Sequence, residues 1–262
     1  MIDPKPPEKP KPAPTGDDAV QQMKRLTRRA FTVGGLSFLA GYGAWTWLQS
    51  RSSSDGVAWP FRKVHELNEG VAQALYSGNH LAPEFDLKYA AEPKVNGWIG
   101  WDEDQPAAKD WKLEIEIPDQ PIKRITLDQL TKLPRMESIF EFKCIEGWSQ
   151  IVQWGGYRFG DFLKAFDLLP PDGSPLKYVH LSTMNDVYTS ALDLPSAMHP
   201  QAMLCDTMNG IPLTEGHGAP IRMVLPVKYG IKNIKWLAKI RFQETRPTDY
   251  WTERGYDWYA GL

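Results

Sequence analysis

The chain has 262 residues, a formal net charge of −2, two cysteines and eleven tryptophans. This length leaves room for one large domain with extensions and for an ample hydrophobic core. The near-neutral charge gives no reason to expect nucleic-acid binding, and cysteines 61 positions apart exclude a metal pair of the Cys-x-x-Cys kind. Tryptophan favours the walls of pockets and interfaces, so its abundance points to such surfaces.

The N-terminal segment is rich in proline and polar residues, with six prolines in the first fourteen positions. Such a composition cannot supply a core, and we predict a disordered cytoplasmic tail over residues 1–30. The pair Arg28-Arg29 stands ahead of an uncharged run over residues 31–49. This arrangement resembles a twin-arginine export signal, which implies contact with the twin-arginine export machinery that moves folded proteins.

The uncharged run over residues 31–49 is close to the length that spans a bilayer. Trp45 and Trp47 lie at its far end, where aromatic belts occur, and the positive charge ahead of it places the N-terminus in the cytoplasm. No convincing small-x-small cleavage site follows the run. We therefore predict a single anchor in a bacterial inner membrane, with the rest of the chain in the periplasm. A cleaved signal and a soluble periplasmic protein are the alternative.

Residues 50–60 have the composition of a linker, and the sequence predicts one α+β domain over residues 61–262. Asn209-Gly210 between two apolar runs predicts a two-residue hairpin turn. The other predicted elements are a helix over 61–75, a strand over 111–117, a short helix opened by the capping-box pattern Thr126-x-x-Gln129, and strands over 178–183, 221–227 and 240–242. Short strands dominate this domain.

The stretch over residues 136–166 holds the most informative pattern. Its side chains alternate with the period of a strand up to Cys144, which falls on the apolar, inward side. The strand gives way there to a glycine-bearing turn, two tryptophans, a glycine pair and a short helix predicted over residues 159–166. A thiol in this position can be accessible to a ligand and still be shielded from bulk water. The pattern alone also fits a buried cysteine with no chemical role.

Two blocks of the sequence carry a resemblance to a known family. The first is FKCIEGWSQIVQWGG at residues 142–156, and the second is GAPIRMVLPVKYGIKNIK at residues 218–235. Both blocks, in this order, resemble segments of the sulfite-oxidase family of molybdopterin enzymes, the first being the family's cysteine segment. The likeness runs from about Asn96 to the C-terminus. It implies an α+β domain of the sulfite-oxidase type, which binds molybdopterin and mixes short strands with helices.

The resemblance implies molybdenum–molybdopterin as the cofactor, with Cys144 as metal ligand and catalytic residue. A thiolate is a soft ligand for a redox-active metal, and no second metal-ligating residue accompanies it in the sequence. An organic cofactor would then supply most of the coordination sphere. A disulfide between Cys144 and Cys205 would remove this thiolate, so both cysteines are expected to be free. By matching positions, the cofactor cradle comprises Asn96, Ile99, Gly100, Thr183, His217, Arg222, Asn233, Ile234 and Lys235.

The second block is basic, which suits the phosphate of a pterin cofactor. Its cations lie around glycine-bearing loops, and they are Arg222, Lys228, Lys232 and Lys235. Arginine offers a bidentate fork for phosphate. His217 departs from the asparagine of the family's reductases, although histidine can still donate to phosphate or pterin. Without the resemblance, the same residues fit an ordinary solvated basic face.

The residues after Cys144 bear on the substrate. Sulfite oxidases place arginines shortly after the ligand cysteine, whereas residues 145–150 of this chain carry no cation and one carboxylate, Glu146. A carboxylate near the metal would repel sulfite, which favours reduction of a neutral sulfoxide, either a small molecule or methionine sulfoxide. In the alternative geometry Glu146 points away from the metal. The alternative functions are a sulfite-oxidising dehydrogenase and a binding module without cofactor.

Such a reaction consumes electrons. The sequence shows neither a haem signature nor a flavin motif, so we expect the electrons to come from another protein. A membrane haem protein or a quinol-linked electron-transfer protein fits that need beside a membrane-anchored catalytic chain.

Overall fold

The computed structural model describes residues 16–54, 57–171 and 173–262, and the chain divides into two compact units, Met1–Ser52 and Ser53–Leu262. The first unit contains the long helix α1 (Gly16–Gln49). Of the tail predicted to be disordered, residues 1–15 lie outside the described residues. Residues 16–30 are helical, which corrects the prediction there. The prolines end at residue 14, and good helix formers follow, with acidic residues in the first turn that favour the helix dipole.

The second half of α1 contains the uncharged run over residues 31–49. Among the described residues, no helix is both long enough and apolar enough to cross a membrane. The membrane-spanning anchor predicted for this run is therefore not supported. An uncharged run is not necessarily an apolar one, because hydroxyl-bearing residues and glycines lower its mean hydropathy, the glycines being Gly34, Gly35, Gly41 and Gly43.

The second unit begins inside the predicted linker. β1 (Ser53–Ser54) and β2 (Val57–Ala58) pair as a small antiparallel ribbon, and α2 (Trp59–Leu75) follows at once. Proline in the first turn of α2 suits a helix start, because the missing N–H would have no partner there. The linker prediction for residues 50–60 is therefore wrong for its second half.

The remaining elements are short and mostly strands. In chain order they are β3 (Lys112–Glu116), β4 (Lys123–Thr126), α3 (Leu127–Leu130), β5 (Arg135–Lys143), β6 (Ser149–Arg158), α4 (Phe159–Ala165), β7 (Tyr178–Ser182), β8 (Thr189–Asp193), α5 (Leu194–Ala197), β9 (Met203–Met208), β10 (Ile211–Pro212), β11 (Arg222–Val224) and β12 (Lys239–Gln243). This mixture confirms the predicted α+β class.

The strands form two larger sheets. The first has the order β10-β9-β6-β5, with β11 also paired to β9, and the second has the order β4-β3-β12-β7-β8. β3 and β12 run parallel, whereas β7 is antiparallel to both of its neighbours. The main core combines apolar residues of the second sheet with α4, β9 and β11, for example Leu113, Phe162, Leu204 and Ile240. This core holds the two sheets together and so fixes the loops between them.

Several local predictions are confirmed. Thr126 and Gln129 form a reciprocal capping box at the start of α3. Asn209 and Gly210 both have positive φ, 49° and 76°, as the tight hairpin between β9 and β10 requires. The strand predicted over residues 221–227 is shorter, since β11 covers only three residues.

The sequence analysis missed β6, which follows the cysteine turn. β6 pairs with β5 over residues 149–157 and with β9 on its other side, where the register shifts between Gly155 and Gly156. The backbones of β6 and β9 approach so closely at this point that only glycine fits, because a Cβ atom at Gly156 would lie 2.1 Å from the carbonyl oxygen of Leu204. The glycine pair therefore marks a bulge inside a central strand.

Candidate active site

Cys144 lies in the turn that joins β5 to β6. Its N–H donates to the carbonyl of Trp148 over 2.9 Å, and the N–H of Gly147 donates to the carbonyl of Cys144 over 3.1 Å. Gly147 has a φ of +87°, a conformation that favours glycine. Phe140 and Cys144 are both buried, so the predicted inward phase is confirmed. The turn thus presents the thiol on the inner side of the hairpin.

The thiol of Cys144 lines a cavity of about 220 Å³, here called the Cys144 cavity. Burial raises the pKa of this thiol, and the nearby charge of Glu146 raises it further, whereas backbone N–H groups oppose the shift. The side-chain nitrogen of Asn96 lies 3.8 Å from the sulfur. Cys144 and Cys205 are both free, which confirms that no disulfide joins them.

The structure brings most of the predicted cradle to this cavity. The predicted residues that line it together with Cys144 are Asn96, Ile99, His217, Arg222, Asn233 and Lys235. Three others do not line it. Ile234 is fully buried in the main core, the hydroxyl of Thr183 pairs with Asn185 over 2.8 Å, and Gly100 packs against Thr183. Their roles in cofactor binding stay predictions.

Arg222 is the buried cation of the Cys144 cavity. Its side chain is 5% exposed, and its terminal nitrogens donate to the carbonyls of His217 and Asn233 over 3.0 and 3.1 Å. Burial lowers its pKa to about 10. Its guanidinium lies over the ring of Trp154, 4.8 Å from the centroid. Among the described residues it pairs with no carboxylate, so its charge is available to a bound anion.

Lys235 fastens two walls of the Cys144 cavity to each other. Its Nζ donates to the carbonyls of Asn96, Gly97 and Gly216 over 2.9, 2.6 and 3.0 Å. Burial lowers its pKa to about 7, and the charge of Arg222 adds to this effect. Lys235 therefore acts as a cross-link between loops that come from opposite ends of the domain.

The other two lysines of the second block point elsewhere. Lys228 donates to the carbonyl of Tyr259 over 2.9 Å, and Lys232 forms a buried ion pair with Asp249. Neither lines the Cys144 cavity. Of the four cations of the block, Arg222 and Lys235 line this cavity. Residues 230–232 form a 3-10 turn, which directs neighbouring side chains to different sides of the loop.

Glu146 faces the Cys144 cavity. The sequence had left open whether its side chain points toward this site or away from it. Its carboxylate accepts a hydrogen bond from the indole N–H of Trp148 over 2.9 Å and one from Asn96 over 3.4 Å. The same nitrogen of Asn96 is the one near the cysteine sulfur. Lys94, which sequence reasoning missed, lies over the ring of Trp148, 4.7 Å from its centroid. The mouth therefore carries one carboxylate and one exposed ammonium group.

Residues 91–97, here called the strap, form one wall of the cavity. Gln150 holds the strap through both ends of its amide, which accepts from the N–H of Lys94 over 2.8 Å and donates to the carbonyl of Glu92 over 2.9 Å. The backbone N–H of Ala91 also donates to Ile151 over 2.9 Å. The strap thereby lies along β6 and carries Asn96 to the thiol.

Three aromatic residues of the cavity were missed by sequence reasoning. Trp251 donates its indole N–H to the hydroxyl of Tyr188 over 3.0 Å, and that hydroxyl donates to the carbonyl of Ile231 over 3.0 Å. Tyr256 packs edge-on against Trp251. All three line the cavity, yet they come from segments far from Cys144 in sequence. Only the abundance of aromatic residues near the C-terminus hinted at such a wall.

The chain matches known proteins over most of its length. The model of the oxidoreductase molybdopterin binding domain matches residues 100–251. A putative protein-methionine-sulfoxide reductase subunit of Azospira oryzae is 31% identical over 242 residues, which are 91% of this chain and 87% of that protein. Protein-methionine-sulfoxide reductase catalytic subunits of Xanthomonas campestris and Xanthomonas axonopodis are 33% and 36% identical, each over 54% of this chain and 47% of the relative. The chain thus spans about half the length of these two.

A solved structure also resembles the chain. It is the sulfane dehydrogenase SoxCD from Paracoccus pantotrophus, with 18% identity and a TM-score of 0.48. The match covers 54% of this chain and 40% of that one.

The donors of the Cys144 cavity fit an anionic pterin cofactor bound through a metal. Cys144 offers a soft sulfur ligand, and Arg222 offers a buried positive charge. The Nε atom of Arg222 and the Nε2 atom of His217 are buried and have no hydrogen-bond partner among the described residues, so both can serve a bound group. The chain therefore belongs to the molybdopterin-binding oxidoreductases of the sulfite-oxidase family, with molybdenum–molybdopterin as its cofactor.

Proposed function

We propose that this oxidoreductase reduces sulfoxides, with methionine sulfoxide as the substrate class. The relatives that match most of the chain or its domain are named as methionine-sulfoxide reductase subunits. The observation that carries the proposal is the carboxylate of Glu146, which faces the cavity of the ligand cysteine. A sulfoxide is neutral and is not repelled there, whereas sulfite is anionic.

The residues of the cavity suit such a substrate. Phe142, Trp148, Trp251 and Tyr256 give it aromatic walls, which favour an apolar thioether product and limit the access of water. The cofactor, when bound, supplies the two-electron, oxygen-atom-transfer chemistry. Overall, a sulfoxide, two electrons and two protons give a thioether and water. Asn96 and Lys94 are placed at the mouth, where their N–H groups can orient the sulfoxide oxygen.

The electrons come, in this proposal, from a membrane-bound haem or quinol-linked protein. Two relatives are named as catalytic subunits, which implies a second subunit in those enzymes. We also propose export to the periplasm by the twin-arginine route, supported by Arg28-Arg29 ahead of an uncharged run. Mass spectrometry of the protein isolated from a periplasmic fraction tests this, and recovery in the cytoplasmic fraction alone would contradict it.

Rapid mixing of the molybdenum-loaded enzyme distinguishes the reductase from the sulfite dehydrogenase. Reduced enzyme is mixed with methionine sulfoxide, oxidised enzyme is mixed with sulfite, and the cofactor absorbance is followed. We expect faster oxidation by the sulfoxide. Glu146→Gln removes the charge and keeps a hydrogen-bond acceptor, so it should speed the sulfite reaction on the order of tenfold and change the sulfoxide reaction little.

Glu141→Gln is the matched control, since Glu141 accepts from Ser149 and does not line the cavity. It should leave both rates unchanged. Faster turnover of sulfite than of the sulfoxide by the unaltered enzyme would reject the reductase and favour the dehydrogenase.

A further inference from the structure

A second cavity, of about 370 Å³, lies beside the C-terminal end of α2. Tyrosines from three parts of the chain line it, Tyr76 after α2, Tyr178 in β7 and Tyr259 near the C-terminus, together with Asp193 at the end of β8. None of its lining residues lines the Cys144 cavity. We call it the tyrosine cavity. Its size falls in the range of small-molecule sites, roughly 300–1,000 Å³.

The tyrosine cavity contains a carboxylate without a partner. Oδ1 of Asp193 is buried and accepts no hydrogen bond, and Asp193 forms no ion pair with any described lysine or arginine. Asp193 stands at the N-cap position of α5, yet its side chain does not cap that helix. A buried carboxylate oxygen without a donor is costly, so a cationic partner would stabilise this site.

The three tyrosines line the same cavity as this carboxylate. Tyr76 is fixed by its hydroxyl, which donates to the carbonyl of Pro195 over 2.8 Å, and Tyr178 packs edge-on against Trp258 at 5.6 Å between centroids. Burial raises the pKa of Tyr76 to about 12, and the charge of Asp193 contributes, which places that carboxylate near the phenol. Tyr259 is 3% exposed, and its hydroxyl also has no hydrogen-bond partner among the described residues.

Two lysines lie nearby, and neither forms an ion pair with Asp193, although the charge of Asp193 partly offsets the burial that lowers the pKa of Lys228. Lys228 lies 2.9 Å from the centroid of the Tyr259 ring and donates to the Tyr259 carbonyl, so it occupies one face of that ring. Lys177 lines the cavity, but its side chain is exposed and makes no ion pair with Asp193. The rings of Tyr76 and Tyr178 are therefore the ones left to face a ligand.

We propose that the tyrosine cavity binds an organic ammonium ion. Aromatic ring faces attract such cations, and a partly buried carboxylate adds a direct charge pair. This combination discriminates between a quaternary or alkylated amine and a neutral molecule of the same shape. An inorganic cation would also interact with the carboxylate. It would have to give up its bound waters, however, and the aromatic rings offer few atoms that could replace them as ligands.

Isothermal titration calorimetry of the molybdenum-loaded enzyme tests the site with choline as the probe. Its neutral isostere 3,3-dimethylbutan-1-ol and potassium chloride are titrated in parallel at constant ionic strength. We expect choline to bind at least tenfold more tightly than the neutral isostere, as a cation–π contribution of this kind allows. Potassium should neither bind measurably nor displace choline.

Variants locate the binding. Asp193→Asn and Tyr178→Leu should each weaken choline binding on the order of tenfold, whereas Tyr178→Phe, which keeps the ring, should retain it. Asp161→Asn, on the partly exposed face of α4, is the matched control and should bind choline as the parent does. Circular dichroism and molybdenum content show that each variant is folded. Equal affinity for choline and its isostere, absence of binding, or loss of choline to potassium would each overturn the proposal.

Discussion

Cys144 and Cys205 show how surroundings decide the chemistry of one residue type. Cys144 is 9% exposed and borders a cavity, whereas Cys205 is fully buried in β9 among apolar side chains such as Trp154 and Val224. Burial raises the pKa of both thiols. Cys144 thus needs a bound cation to be a thiolate at neutral pH, and the metal that we propose it coordinates would provide that cation. Cys205 has no access to any such ion.

Cys144→Ser should keep the fold and abolish activity, because an alcohol is a hard donor and stays protonated at neutral pH. The absorption spectrum of the cofactor should also change, since the sulfur ligand is lost. Cys205→Ala should leave rate and spectrum intact and lower the free energy of unfolding by about 1 kcal/mol or more through the cavity it creates. Exchanged phenotypes of the two variants would show that the ligand assignment is wrong.

At the scale of the element, the strap is the part of the site that two side chains, Gln150 and Lys235, hold in place. Residues 92–97 belong to no strand, and the amide of Gln150 bonds to Glu92 and Lys94. Lys235 holds its far end at Asn96 and Gly97. Because the strap carries Asn96 to the cysteine sulfur, its position controls a contact at the thiol that we propose as the metal ligand.

Gln150→Ala should loosen the strap without unfolding the domain, since β5 and β6 pair through their backbones. We expect KM for the sulfoxide to rise on the order of tenfold, as two hydrogen bonds worth about 1 kcal/mol each are lost. Amide hydrogen exchange at residues 92–97 should speed up in parallel. Gln153→Ala, whose side chain donates to Glu137, is the control in the same strand. Unchanged exchange in Gln150→Ala would mean that Lys235 alone holds the strap.

At the scale of the whole molecule, buried charges fasten the C-terminal segment to the domain. Asp249 pairs with Lys232 and accepts from the N–H groups of Ala191 and Thr252 over 3.1 and 2.9 Å. The Lys232–Asp249 ion pair is nearly fully buried, with both side chains at most 2% exposed. These contacts fix the position of residues 249–252, and Trp251 in this segment lines the Cys144 cavity. Folding of the C-terminal segment and formation of the site are therefore coupled.

Lys228 should make stability depend on pH. Burial lowers its pKa from 10.5 to about 7 in the folded chain. Between these two values the unfolded chain binds more protons, so the free energy of unfolding rises with pH across that window and is flat below it. In Lys228→Met the slope should fall by up to roughly 1.4 kcal/mol per pH unit, as urea unfolding at pH 7 to 10 would measure.

Lys235 has a pKa lowered in the same direction, also to about 7, so part of the slope should remain in Lys228→Met. Lys164→Met, at an exposed position of α4, is the control and should keep the slope of the parent. Parallel curves for Lys228→Met and the parent would show that the buried amine does not titrate in this window.

The sequence by itself determined the features that rest on local interactions. The alternation that ends at Cys144, the capping box at Thr126 and the Asn209-Gly210 turn all depend on residues a few positions apart, and all are present. The two blocks around Cys144 and Arg222 also identified the family and the cofactor, because the chemistry of a metal ligand and a phosphate cradle restricts which residues can stand there.

Only the tertiary structure decided which residues share the site. Lys228, Lys232 and Lys235 look alike in sequence, but one alone reaches the Cys144 cavity. The strap and Trp251 come from segments on opposite sides of the cysteine hairpin, and both line the Cys144 cavity because the two sheets pack on one core. The direction of a side chain in an irregular loop is set by such long-range contacts, which have no period in the sequence from which to predict them.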